Sequence, residues 1–173
     1  MINIVVGYPP GGSTDLTGRV VAAALAKSLN ATVVVENIGG AGGAIGAQKV
    51  LNAPPDGYTL LVATNTGQAI APHLLKLSFD PMKDLTPIGL VVTVPNVLVV
   101  NAEQAAKLGI KTTPDLMQYL KKNPDQAKYG SGGNGSIGHI SAEMFKSLTN
   151  TRMGHTPFHG SKPALAALES GQV

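Results

Sequence analysis

The chain has no cysteine and no tryptophan among its 173 residues, and only 4% aromatic and 13% charged side chains. Without cysteine there is no disulfide frame, no thiol nucleophile and no cysteine-based zinc or iron–sulfur site. The few aromatics offer little on which bases of a single-stranded nucleic acid could stack. No basic cluster exceeds Lys121-Lys122, so no nucleic-acid partner is expected. No apolar run approaches the ~20 residues of a membrane-spanning helix, so the chain is not expected to be membrane-inserted. Low charge beside 43% hydrophobic residues excludes intrinsic disorder.

Glycine (21) and proline (12) are plentiful instead. The length suits one domain or two small lobes. The net charge of +3 arises wholly after residue 100, where eight basic side chains face five acidic ones. A small anionic ligand is compatible with that balance. The opening Met1-Ile2-Asn3-Ile4-Val5-Val6 reads as a strand, with neither the basic region nor the small-residue cleavage site of a secretory leader.

Short β-branched runs alternate with helical patterns. Strands are expected at Ile2–Val6, Thr32–Glu36, Thr59–Ala63, Ile88–Val94 and Val97–Asn101. A helix from Thr14 to Leu29 is expected to bury Leu16, Val20, Ala23, Ala24, Val21, Leu25 and Leu29, with Ser13 or Thr14 as its cap and Asp15 in its first turn. A second helix is expected from Ala44 to Ala53. This βαβαβ order argues for an α/β class with a parallel sheet. A second unit follows Asn101. Thr113-Pro114-Asp115 starts a helix, and a short strand lies near Lys128–Gly130. Ile137, Ile140, Ser141, Met144, Phe145 and Leu148 form a helical stripe. A strand near Met153–Phe158 then leads to a helix capped by Ser161.

Three glycine-rich loops each join a strand end to a helix start: Tyr8-Pro9-Pro10-Gly11-Gly12-Ser13-Thr14-Asp15, Thr64-Asn65-Thr66-Gly67, and Gly130-Ser131-Gly132-Gly133-Asn134-Gly135-Ser136. Helix N-termini carry unpaired N–H groups and partial positive charge, and glycine lets a ligand approach the backbone. In open α/β sheets ligands sit at the carboxyl ends of strands, where these loops fall. Single loops of this kind are often plain turns; three in one short chain argue for an anion site. The third matches G-x-G-x-x-G, but residues 150–155 hold no acid for a ribose, which argues against a dinucleotide. Ser136 lacks the G-x-S-x-G context of a nucleophile and reads as a cap. His155 and His159 straddle Pro157 and read as strand histidines. No catalytic pair, metal site or cofactor is expected. The alternative from the loops alone is a small α/β enzyme or a nucleotide- or phosphate-binding domain.

The first loop, Val35-Glu36-Asn37 with Gly40-Ala41-Gly42-Gly43 and Gly46, and Pro55-Asp56-Gly57-Tyr58-Thr59-Leu60 occur in order. Tyr129-Gly130-Ser131, Gly133-Asn134-Gly135-Ser136, Gly138-His139, Glu143, Phe145, Pro157-Phe158, Gly160 and Pro163-Ala164-Leu165 follow. This ordered set resembles the tripartite tricarboxylate transporter receptors, the TctC-like or Bug solute-binding proteins. The resemblance implies a type II periplasmic-binding-protein-like fold of two α/β lobes. Residues 1–100 would form part of the N-terminal lobe and residues 101–173 an incomplete second lobe, in a chain cut short at its C-terminal side. It implies a periplasmic receptor, not an enzyme. Such a receptor captures a dicarboxylate, tricarboxylate or acidic amino acid between its lobes and delivers it to the membrane subunits of an ion-driven transporter. It places Tyr8, Gly11, Gly12, Ser13, Thr14, Asn65 and Thr66 at the ligand from the first lobe. Ser131, Asn134, Gly135, Ser136, His139, Gly160 and Ser161 would face it from the second. Ser13 stands where many members have glycine. Sheets ended early would leave edges through which copies could associate.

Overall fold

A computed structural model describes all 173 residues. They form two compact units, Met1–Val94 and Pro95–Val173. The first unit is built on three parallel strands, β1 (Ile2–Val6), β2 (Val33–Asn37) and β3 (Thr59–Val62), in the order β2-β1-β3. Ile4 pairs with Val35 on one side and Leu60 on the other. The central strand is the most buried, as a strand with a neighbour on each side should be, and Ile4, Val5 and Val6 are shielded from solvent. Helices α1 (Ser13–Leu29) and α2 (Ala44–Leu51) make the crossovers that parallel pairing requires. A π-helical turn (Thr66–Ile70) and the short α3 (Ala71–Leu74) follow β3.

The face that α1 buries differs from the expected one. Leu16 and Val20 are 65% and 63% exposed, and Leu29 is exposed as well. Asp15, Gly18 and Ala22 are buried instead, with Val21 and Leu25 half-buried against the core. Small residues decide this. A Cβ on Gly18 would stand 2.7 Å from the Val6 Cγ2, so the helix lies against the sheet along its glycine and alanine line. Gly12, not Ser13 or Thr14, occupies the N-cap position, and no side chain caps the helix.

The expected strands Ile88–Val94 and Val97–Asn101 are absent. Residues 85–101 hold neither helix nor strand, and Ile88 and Leu90 are 84% and 86% exposed. A β-branched run becomes a strand only when a neighbouring strand takes its N–H and C=O groups, and no strand pairs with this segment.

The second unit opens with α4 (Ala102–Leu108) and α5 (Thr113–Lys122). The cap of α5 is Thr112, one residue before the expected start. Its hydroxyl accepts the Asp115 N–H while the Asp115 carboxylate accepts the Thr112 N–H, a full capping box. Strands β4 (Lys128–Ser131) and β5 (Gly154–Pro157) pair in parallel, joined by α6 (Ile137–Thr149), and α7 (Ser161–Glu169) follows. Leu116, Leu120 and Met153 form the core, with Tyr119, Tyr129 and Phe145 against them. Half of the expected α6 stripe is exposed, and the other half is only partly buried. Phe145 packs inward, but Met144 and Leu148 are exposed, because a two-stranded sheet offers one narrow strip of surface. No helix of the chain is long and apolar enough to cross a membrane.

Burial separates two kinds of leucine here. Leu120→Ala is expected to cost about 2–5 kcal/mol of stability through the cavity it leaves. Leu90→Ala is expected to stay within about 0.5 kcal/mol. Chemical denaturation of the two variants checks the contrast.

Candidate functional site

At the end of β1 the chain turns through residues 7–12 into α1. Gly11 has φ +89°, a region that favours glycine, whereas Gly12 at φ −87°, ψ 173° is ordinary extended backbone. With no side-chain cap, the first-turn N–H groups of α1, Ser13 and Thr14 first, keep the helix's positive end without a side-chain acceptor.

Asp15 organises this loop from within the helix. Its carboxylate is buried, and Oδ2 accepts the Gly11 N–H at 2.8 Å and the Arg19 Nε–H at 3.1 Å. Oδ1 accepts the Asn37 Nδ2–H at 2.9 Å and lies 3.0 Å from the Arg19 Nη2. Asn37 also donates to the Tyr8 carbonyl at 3.0 Å, which ties the end of β2 to the loop. Arg19, then the Gly11 N–H, hold the Asp15 carboxyl down at about 2, against the opposing effect of burial.

The Tyr8 hydroxyl donates to the Gly42 carbonyl at 2.7 Å and lies 2.7 Å from the Thr64 Oγ1, linking the first loop to the second. Burial pushes that hydroxyl above its ordinary range, with the Thr64 and Thr66 hydroxyls opposing. Just past β1, α2 meets the chain backbone to backbone at Gly7. A Cβ on Gly46 would stand 2.9 Å from the Gly7 Cα, so only glycine allows this approach. Thr66 is buried and Asn65 exposed. A hollow of about 450 Å³ in this unit, lined by Ile38, Ile45, Lys76 and Phe79 among others, shares no residue with these loops.

In the second unit the loop from β4 to α6 is tied down at both ends. The Ser131 Oγ is 2.7 Å from the His155 Nε2 and accepts the Gly133 N–H at 3.2 Å. The Gly135 N–H donates to the His139 Nδ1 at 3.1 Å, and the Ser136 hydroxyl caps α6 by accepting the His139 N–H at 3.3 Å. The Gly160 N–H donates to the Gly132 carbonyl at 3.2 Å, which brings the start of α7 beside this loop. Asn134 and Ser161 are exposed.

The expected site residues thus divide by role. Gly11, Gly12, Ser13 and Thr14 form an open helix start, and Asn65, Asn134 and Ser161 present free side chains. The polar groups of Tyr8, Ser131 and His139 and the Gly135 N–H are engaged internally, so they shape the loops. Sequence reasoning gave no role to Arg19, named Asn37 and Thr64 only within their motifs, read His155 as a strand histidine, and took Asp15 only as a helix-dipole acid. Asn37 lay inside a recognised motif, but no periodicity links it to a helix residue 22 positions away.

Residues 17–173 match the family model described as the tripartite tricarboxylate transporter family receptor, TctC. A UPF0065 protein of Bordetella pertussis is 37% identical over 172 residues, covering 99% of this chain and 52% of that protein. Two solved structures are similar throughout the chain. Rpa4515 of R. palustris with adipate has a TM-score of 0.91 at 34% identity, covering 100% of this chain and 57% of that one. MatC of Rhodopseudomonas palustris with bound malate has a TM-score of 0.87 at 33% identity, covering 100% and 58%. At these identities the shared fold is that of the periplasmic binding proteins, as the sequence implied. The chain spans about half the length of the curated relatives it matches.

Asp15 gives a pH-dependent prediction. Its folded pKa lies below the ordinary value of 3.8, so its stabilisation is fully present above that value and is lost as pH falls towards about 2. Asp15→Asn is therefore expected to cost about 1–3 kcal/mol at neutral pH. The gap to wild type should close as pH falls from about 4 to about 2 in denaturation series. A gap independent of pH contradicts the assignment.

Proposed function

The chain belongs to the tripartite tricarboxylate transporter receptor family, and from that membership we propose that it serves as an extracytoplasmic receptor for a small carboxylate. One observation carries the reading. The N-terminus of α1 has no side-chain cap and is approached through Gly11 and Gly12, whose lack of side chains leaves the backbone accessible. A carboxylate is the natural acceptor for the N–H groups of Ser13 and Thr14, and the Ser13 hydroxyl adds a donor. The relatives that hold adipate and malate support a dicarboxylate as ligand. In the second unit, Asn134 and the start of α6 form a further polar edge suited to such a ligand. The receptor would act in the periplasm and pass its ligand to the membrane subunits of a secondary transporter. It performs no chemistry on the ligand.

A ligand that binds only the folded form raises the melting temperature, by an amount equivalent to about 2.7 kcal/mol at one hundred times its Kd. Adipate or malate is expected to stabilise the chain in a thermal-shift panel, and ATP and NAD to leave it unchanged. Stabilisation by ATP or NAD without response to any carboxylate contradicts the proposal and favours the nucleotide-binding alternative.

Gly12→Val tests the loop itself. Valine tolerates φ −87° and should cost on the order of 1 kcal/mol as a poorer cap, while its side chain crowds the backbone approach. Loss of the carboxylate response in a folded variant is expected; an unchanged response removes this loop from the site.

A further inference from the structure

Two histidines in the second unit hold the loop that the proposed function gives to the ligand. The His139 and His155 rings stack with centroids 4.1 Å apart and planes 8° from parallel. Tyr129 stacks on His155 at 4.8 Å. Each imidazole reaches one end of the loop, His139 through the Gly135 N–H and His155 through Ser131, which accepts from Gly133. Gly135 is buried, with φ +74°.

An imidazole nitrogen accepts a hydrogen bond only while its lone pair is free. A His139 that accepts at Nδ1 is the neutral ring with its proton on Nε2. A proton at Nδ1 would remove the acceptor, leave the buried Gly135 N–H unpaired and turn two N–H groups against each other. We propose that His139 is a positioning residue, not a ligand contact: its neutral ring sets the shape of the loop at Gly135, so that this shape is lost when the ring takes up a proton.

The groups around the ring are Glu143 and Lys146 on α6, Tyr129 on β4 and His155 on β5. The Glu143 Oε1 lies 3.9 Å from the His139 Nε2 and favours a charged ring. That carboxylate is already engaged, by the Tyr129 hydroxyl at 2.6 Å and the Lys146 Nζ at 2.9 Å. Lys146 and a charged His155 would oppose a second positive charge. Burial, then a charge on His139, keeps the His155 pKa below its ordinary value, so His155 favours its neutral form.

The proposal rests on the carboxylate-receptor reading only for its effect on binding, and the test separates the two. In ¹⁵N-labelled protein, the His139 ring is expected to be the Nε2–H tautomer at about pH 8, and the Gly135 amide resonance to shift with the ring's midpoint as pH is lowered. His139→Asn places an amide oxygen near the Nδ1 position and does not titrate. Wild type is expected to lose more malate affinity than this variant as pH is lowered, the variant reporting the ligand's own titration. An Nδ1–H tautomer, or a Gly135 resonance indifferent to the ring's protonation, overturns the proposal without need of any variant. Equal pH profiles for wild type and His139→Asn overturn it as well. If malate binds at no pH while Gly135 follows the ring, the positioning role stands and the receptor reading falls.

Discussion

The buried carboxylate of Asp15 is the contact on which the first loop depends. It gathers the Gly11 N–H, the Arg19 guanidinium and the Asn37 amide, and so joins the loop, α1 and the end of β2. Taking a charge out of water is costly unless donors replace the lost hydration, and here they do. The direction of the bonding matters. At α5 the cap is reciprocal, Thr112 to Asp115 and back, and the helix start is closed. At α1 only the returning half exists: Asp15 reaches back to the loop, and no side chain at Gly12 reaches forward. The loop is therefore fixed while the helix start stays open. An anion can use N–H groups that a Ser or Thr cap would have consumed.

The second unit fixes its loop by other means. Imidazoles take the place of the carboxylate, and Ser136 does cap α6. A carboxylate held near a pKa of about 2 keeps its charge throughout the physiological range. An imidazole nitrogen, by contrast, accepts only while it is unprotonated.

Much of this was legible in the sequence. The runs Ile2–Val6 and Thr59–Val62 are short, β-branched and bounded by turn residues, and they form the expected parallel sheet. The capping serine of α6 and the acid in the first turn of α5 announce those helices. Local pattern failed where a tertiary partner decides the outcome. The runs at 88–94 and 97–101 have strand composition but no strand beside them. Leu16 and Val20 have the spacing of a buried face, yet Gly18 draws the opposite side of α1 onto Val6. The Asp15–Asn37 and Ser131–His155 contacts join residues 22 and 24 positions apart, and no local pattern encodes them.

The central claim is that the uncapped start of α1 receives a carboxylate. Titrating malate into the ¹⁵N-labelled chain near neutral pH tests it most directly. Saturable shifts of the Ser13 and Thr14 amides, among the largest in the first unit, are the predicted result. Saturable binding that leaves those two amides unmoved would contradict the claim.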